Sequence, residues 1–435
     1  MKLFTGFFSP TKKLIASNTS AQLIGRGISA LTTFAVTFII AHQFGATGYG
    51  DFVKVTTYAA FFYLITDFGM NAIFLQLDMH DNWPALVALR LIGGAVLIIV
   101  ALGILVFLPG SVSQGYTPIV RLGILLYSPT ILLQGIITSA NAIFQKRLRY
   151  DRATWAILFG SIVTVILLWV LVYLVQTTNL ISIVGAVGIG TLVTATASYL
   201  FATRFVGRVN FSLSATNMKR LFIPSIPLGI TLLFNLVYFR ADSVVITLTR
   251  PTSEVGVYGL AYKVFEVMLV LPTFFMNSVY PLMLSTRSNG LSVAKDNFRL
   301  ILKKSILFLL FISLLIIPVM WITAPLIVLI KNDFSASIPA IRILVLSLPF
   351  FYVTNATMWA LVALKKQTIL SFVYGISMLV NVVGNILLVP RFGYMAAAWM
   401  TVVGEGVVLL WSAIILVNEL SLEKDKDTEL SGAMY

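Results

Sequence analysis

Apolar runs longer than a globular core requires recur along almost the whole chain. AVLIIVALGILVFL and SILFLLFISLLIIPVMWI contain no charged residue. A helix crosses a hydrocarbon core of about 30 Å with about 20 such residues, and only helices or closed barrels satisfy their backbone groups there. Barrel strands alternate apolar and polar residues in segments of about ten, and these runs do not. The chain therefore reads as an all-α integral membrane protein. Of its 435 residues, 59% are hydrophobic and 11% charged, which leaves little length for a soluble domain.

Hydrophobic patterning predicts twelve transmembrane helices, at 18–42, 49–76, 84–108, 117–143, 153–175, 180–204, 219–247, 256–284, 301–330, 336–363, 368–389 and 393–418. Residues 1–17 read as an interfacial lead-in rather than a cleaved signal peptide, with Lys12 and Lys13 among headgroups or in a tail. Residues 419–435 read as a polar tail.

The net charge of +14 would point to nucleic acid in a soluble protein, but here topology accounts for it. Lys146, Arg147, Arg149 and Arg152 follow the fourth span, Arg204, Arg208, Lys219 and Arg220 the sixth, and Lys365 and Lys366 the tenth. The odd-numbered connections are poor in lysine and arginine; the second, with Asp78 and Asp81, departs from the pattern. The positive-inside rule then places both termini in the cytoplasm and excludes nucleic acid as a partner. There is no cysteine, and the only histidines are His42 and His80, which argues against disulfides, thiol catalysis and a metal site. No cofactor is expected.

Two segments look alike. TGYGDFVKV begins at Thr47 and VGVYGLAYKV at Val255; Tyr49 and Tyr258, Gly50 and Gly259, and Lys54 and Lys263 share one offset. Six predicted helices separate equivalent positions, and an even number preserves orientation, so the halves read as parallel repeats. The corresponding bundles are 18–208 and 209–418.

Ionisable residues inside spans are costly and face partners or water-filled cavities. Arg26 lies about 12 Å into its helix at 1.5 Å per residue, deep enough for a cavity role or a pair with Asp67 or Glu405. Lys54 and Lys263 are nearer the outer ends, where either a cavity role or snorkelling is open. Lys263 and Glu266 have the spacing of an intrahelical pair, whereas Arg240 and Asp242 point to different faces. Arg90 and Arg342 lie near helix ends and favour snorkelling. Pro129, Pro224, Pro227, Pro272, Pro318, Pro325 and Pro349 mark bends, whether static or mobile.

Larger segments carry a family resemblance. NTSAQLIGRGISALTTFAVTFIIAHQFGATGYGDFVKVTTYAAFFYLITDFGMNAI, FRADSVVITLTRPTSEVGVYGLAYKVFEVMLVLPTFFMNSVYPLM and VPRFGYMAAAWMTVVGE resemble polysaccharide or O-antigen repeat-unit flippases of the multidrug/oligosaccharidyl-lipid/polysaccharide exporter superfamily. The resemblance implies two six-helix bundles forming a V-shaped central cavity. It also implies transport, without enzymatic activity, of polyprenyl-pyrophosphate-linked oligosaccharide across a bacterial plasma membrane, for surface polysaccharide such as lipopolysaccharide. Partners would be membrane lipids and polysaccharide polymerase and ligase machinery, with the transporter a monomer. Arg26, Lys54 and Lys263, together with Arg240, match the cations expected to bind substrate. Asp67, Asp242, Glu266 and Glu405 are candidates for ion coupling. Alternatives are a multidrug or peptidoglycan-precursor exporter of the same superfamily, and a membrane glycosyltransferase or polymerase. The last class generally needs paired carboxylates in a sizeable loop, and the longer loops here have none.

Overall fold

The structure, a computed structural model, describes residues 10–177, 179–207, 214–287 and 292–432. Residues 1–9 of the expected lead-in and 433–435 of the tail lie outside the described residues. So do the side chains of Lys12, Lys13 and Arg26, and the expected division at 208/209. Among the described residues the chain is helical between short connections, and β pairing is limited to two isolated bridges, Gly110 with Gly115 and Gln114 with Pro251.

Ten helical stretches are long and apolar enough to cross a membrane, and the bent pair Asn332–Val345 and Leu348–Ala363 makes an eleventh. The first stretch, Gly27–Phe74, has 48 residues, or about 72 Å of helix, more than twice a hydrocarbon core of about 30 Å. Gly45 divides it: φ 66° and ψ −167° break the helix in a region glycine enters without steric penalty. The ten or eleven stretches thus stand against about twelve expected spans, and the break at Gly45 falls between the expected spans 18–42 and 49–76.

The chain forms two compact units, residues Met1–Leu236 with Pro251–Gly256, and Val237–Arg250 with Val257–Tyr435. Unit 1 contains α1 (Pro10–Asp67), α2 (Met70–Phe74), α3 (Met79–Phe107), α4 (Pro118–Tyr127), α5 (Thr130–Lys146), α6 (Tyr150–Trp169) and α7 (Leu180–Val206), with most of α8 (Ala215–Thr249) and the first turn of α9 (Thr252–Arg287). Unit 2 holds the rest of α8 and α9, then α10 (Ser292–Thr323), α11 (Ser337–Val345), α12 (Leu348–Ala363), α13 (Gln367–Phe392) and α14 (Tyr394–Gly432). The expected tail is helical through Gly432.

Membrane helices associate closely where small residues let their backbones approach. On α6 and α7, Gly160 faces Thr194 and Gly190 faces Thr164 so tightly that a methyl group at either glycine would overlap the opposing threonine. A larger core at one end of unit 1 packs Met70, Phe74, Trp83, Leu86, Ile143, Phe144, Ala202 and Leu221. In unit 2, Tyr238, Val373 and Val408 form a smaller one. Ile99, Phe107, Phe311, Ile322, Phe372 and Leu387 are exposed, the surface a chain presents to lipid rather than to water.

The prolines have distinct local effects. Pro129 caps α5 after α4 ends at Tyr127, and Pro349 opens α12 beyond the 42° bend. Pro325 begins a 3₁₀ segment, whereas Pro224, Pro227, Pro272 and Pro318 lie within helices.

Candidate functional site

In unit 1, residues 109–117 fold into a tight hairpin. Tyr116 N donates to the Pro109 carbonyl (3.0 Å), Ser111 N donates to that of Gln114 (2.9 Å), and Gly115 has φ 69°. Thr252 binds the hairpin by donating its backbone N–H (2.9 Å) and its hydroxyl (3.0 Å) to the Ser113 carbonyl. Lys54 completes the knot: its ammonium donates to the Gly115 carbonyl at 2.8 Å and to the Thr252 hydroxyl at 2.5 Å, with Asp51 Oδ1 3.9 Å away.

Close backbone contact beside the knot depends on two glycines. A β-carbon on Gly50 would strike the Thr252 carbonyl, and one on Gly256 would strike that of Ala46. A pocket of about 450 Å³ opens next to it, lined in part by Thr47, Asp51, Ser113, Thr117 and Thr252. Lys54 itself is 1% exposed and bonded within the protein. It therefore neither snorkels nor presents a free ammonium to a ligand in this structure.

Arg90 also differs from its expected placement. Its guanidinium is buried and donates to Asp67 Oδ1 at 2.6 Å, to Asn71 Oδ1 at 2.9 Å and to the Ser139 hydroxyl at 3.1 Å. Phe68 and Gly69, both with positive φ, break the helix and begin α2 immediately beyond Asp67, which brings Asn71 back to the same guanidinium. Arg90 thus ties α1, α2, α3 and α5 together rather than reaching headgroups. Arg342, in unit 2, places its guanidinium over the Trp321 ring at 5.5 Å and donates to the Trp321 carbonyl at 3.4 Å.

A second charged constellation lies in unit 2. Glu266 accepts from Lys263 at 2.6 Å with one oxygen and from Arg240 at 2.9 Å with the other. Tyr262 lies beneath the Arg240 guanidinium, 5.9 Å from ring centroid to Cζ. The intrahelical pair expected at Lys263 and Glu266 is present, and Arg240 joins it from α8. The side chains of Arg240, Lys263 and Glu266 remain 29%, 31% and 27% exposed. Two cations share the Glu266 carboxylate at an accessible surface, and the buried Asp242 carboxylate lies within electrostatic reach of Arg240. Chemically, it can bind an anion while Glu266 keeps the cations in place.

Asp242 forms no ion pair with Arg240 among the described residues, as their two-residue spacing predicts, although it stays within electrostatic reach of that guanidinium. It accepts from the Tyr258 hydroxyl and, at 2.6 Å, from Ser243 N. Tyr238 donates to Glu405 at 3.0 Å. Both carboxylates are buried in unit 2. Asn385 donates to Asn381 Oδ1 at 2.9 Å, but its own Oδ1 has no hydrogen-bond partner among the described residues.

Arg26 lies on α1, its side chain outside the described residues. Asp67 is committed to Arg90, and Glu266 to the cationic pair. Tyr238, Tyr258, Tyr262 and Thr252 are contributors that the sequence reading gave no role. Tyr258 was visible as a partner of Tyr49 in the repeated segment, but its contact with Asp242 was not. Thr252 gave no sequence signal at all.

A family profile described as "Polysaccharide biosynthesis protein" matches residues 12–287, and a second, described as "MatE", matches 227–387. No curated protein sequence matches the chain. Among solved structures, the chain is similar to a lipid II flippase MurJ in an inward closed conformation, with 16% identity over 94% of this chain and 90% of that one and a TM-score of 0.67. It is similar to an inward-facing multidrug resistance MATE family transporter of the MOP superfamily, with 15% identity over 93% and 99% of the two chains and a TM-score of 0.71. A third likeness is to a MOP superfamily transporter from Pyrococcus furiosus, described as having a binding pocket of reversed polarity, with 15% identity over 96% and 97% and a TM-score of 0.60. These likenesses establish a shared helical transporter fold. The profile match, which covers well over half of the sequence, establishes that the chain belongs to the polysaccharide biosynthesis protein family.

Proposed function

We propose that the protein is a flippase for lipid-linked oligosaccharide, and that Arg240 and Lys263 hold the phosphate groups of its cargo. The observation that carries this reading is the accessible pair of cations oriented by one carboxylate, Glu266. Arginine offers planar, multidentate donors to phosphate, whereas lysine offers a rotatable point charge that is more readily released. Such a site suits a cargo that must bind and leave. Membership of the polysaccharide biosynthesis family supports a glycan on that cargo, and the proposed carrier is a polyprenyl pyrophosphate in a bacterial plasma membrane.

Lys54, by contrast, acts in this reading as a structural tie within unit 1. Asp242 and Glu405 are the carboxylates left for ion coupling, since Asp67 and Glu266 hold cations of the protein itself. A multidrug exporter is the second reading, supported by the MatE profile over residues 227–387 and by these two buried acids.

The test is leaflet exchange of a fluorescent polyprenyl-pyrophosphate oligosaccharide in vesicles. Purified protein should accelerate exchange, and Arg240→Ala/Lys263→Ala should abolish it while eluting as folded protein. Unchanged exchange in that variant would overturn the assignment of the site. Export of a lipophilic cation with no exchange of the lipid would favour the second reading.

A further inference from the structure

A group of arginines outside the proposed cargo site gathers at one end of unit 1. Arg149 immediately precedes α6, Arg152 lies in the first turn of α6, and Arg204 lies in the last turn of α7. Their guanidiniums are arranged on two phenyl rings of α7. Arg149 lies over Phe205 at 5.8 Å, while Arg152 and Arg204 both lie over Phe201, at 5.7 and 5.9 Å.

Two cations on one ring repel each other, and the aromatic face offsets only part of that cost. The carboxylate at hand is Asp151. It accepts two hydrogen bonds from Arg149, at 2.8 and 2.9 Å, and lies 3.5 Å from Arg152. Arg204 has no ion pair among the described residues, and the Arg152 Nε faces Asp151 Oδ2 at 3.5 Å without a hydrogen bond to it. Three guanidiniums therefore share a single negative charge. At the same place the N-cap position of α6 provides no side-chain acceptor, and Asp151 is the one carboxylate in the first turn, where a helix N-terminus favours negative charge.

The surroundings indicate what kind of anion fits. One turn into α6 from the arginines, Trp155 is exposed, and Phe159 follows it one turn further. Trp155, Phe159 and Phe201 form a continuous aromatic row, with successive ring centroids 6.0 and 6.4 Å apart. Leu200, on α7, is also exposed. The charged end thus adjoins an apolar surface on membrane-spanning helices, which matches a phosphate with acyl chains attached.

The geometry points to a binding site for the phosphate headgroup of an anionic phospholipid, formed by Arg149, Arg152 and Arg204 with the acyl chains along Trp155 and Phe159. Exposed Arg147 adds to the local positive potential. The site belongs to unit 1 and is independent of the cargo cluster in unit 2, so a lipid held there anchors that unit without competing for cargo.

Native mass spectrometry of protein in neutral detergent tests this, with titration by phosphatidylglycerol, phosphatidylcholine or inorganic phosphate. Wild-type protein should retain phosphatidylglycerol, and Arg152→Gln/Arg204→Gln should retain it roughly tenfold less well. Neither phosphatidylcholine nor phosphate should be held by either form. Lys303→Gln/Lys304→Gln, which removes equal charge from unit 2, should retain phosphatidylglycerol like wild type. Equal retention by the arginine variant, an equal loss in the lysine variant, or binding of phosphate alone would each overturn the site. Should the double arginine variant not fold, Arg204→Glu at an exposed position makes the same comparison.

Discussion

The Lys54 ammonium and the Thr252 hydroxyl, 198 positions apart in sequence, meet at 2.5 Å. The same hydroxyl donates to Ser113, so one lysine and one threonine join α1, the hairpin at 109–117 and the start of α9. Replacing Lys54 by methionine keeps its length but leaves the Gly115 carbonyl and the Thr252 hydroxyl without this donor. The expected cost is about 1–3 kcal/mol, the penalty for stranding buried polar groups, read as a lower midpoint of thermal unfolding in detergent. Lys263→Ala should leave that midpoint nearly unchanged. The reverse ranking would remove the distinction between the two lysines.

Gly256 offers a test by added volume. Gly256→Val drives its side chain into the Ala46 carbonyl, and overpacking of this kind costs about 1–3 kcal/mol. Reduced yield of monodisperse protein is expected, compared with Gly406→Ala, where a β-carbon would meet open space. Similar yields would show that the two backbones separate readily.

Asp67 and Arg90 form a pair in which the guanidinium is fully buried and the carboxylate 28% exposed. Asp67→Ala leaves the Arg90 guanidinium with only Asn71 and Ser139 as hydrogen-bond acceptors, and removal of one partner from such a pair costs about 3–5 kcal/mol. Asp67→Ala/Arg90→Met should recover much of that loss. A double variant less stable than Asp67→Ala alone would contradict the pairing.

Glu266→Gln separates charge from arrangement. The substitution makes the cluster more positive but weakens the hold on Arg240 and Lys263. If orientation governs cargo transfer, leaflet exchange falls despite the added positive charge. Faster exchange together with tighter cargo binding would mean that net charge alone matters.

Asp242→Asn and Glu405→Gln address the driving force. Exchange down a cargo gradient should persist in both variants, while acceleration by an applied ion gradient disappears. An unaltered response in the double variant would remove these two carboxylates from ion coupling.

The spans were legible in sequence because bilayer thickness imposes a length that composition alone must satisfy. Even the division of the first long helix was marked, by a glycine between two apolar runs at Gly45. The Lys263–Glu266 pair was legible because helix geometry fixes which residues three apart are neighbours. Lys54 and Arg90 were not, since each is defined by partners from distant segments: Thr252 for one, Asp67 and Ser139 for the other. Depth along a helix gives the distance to the membrane surface, but it does not reveal a hydrogen-bond acceptor on a neighbouring helix. The repeat in sequence likewise aligned two lysines whose surroundings differ: Lys54 bonds Thr252 and the Gly115 carbonyl, whereas Lys263 bonds Glu266.

The hairpin at 109–117 also provides an experimental handle. Val112 at its tip is 98% exposed, the hairpin is held by Lys54 and Thr252 as well as by its own backbone bonds, and the sequence has no cysteine. A single thiol installed there by Val112→Cys would be the molecule's sole site for maleimide chemistry. In intact cells a membrane-impermeant maleimide should modify it without permeabilisation, marking this connection as the outer face and turning the hairpin tip into a reporter of sidedness.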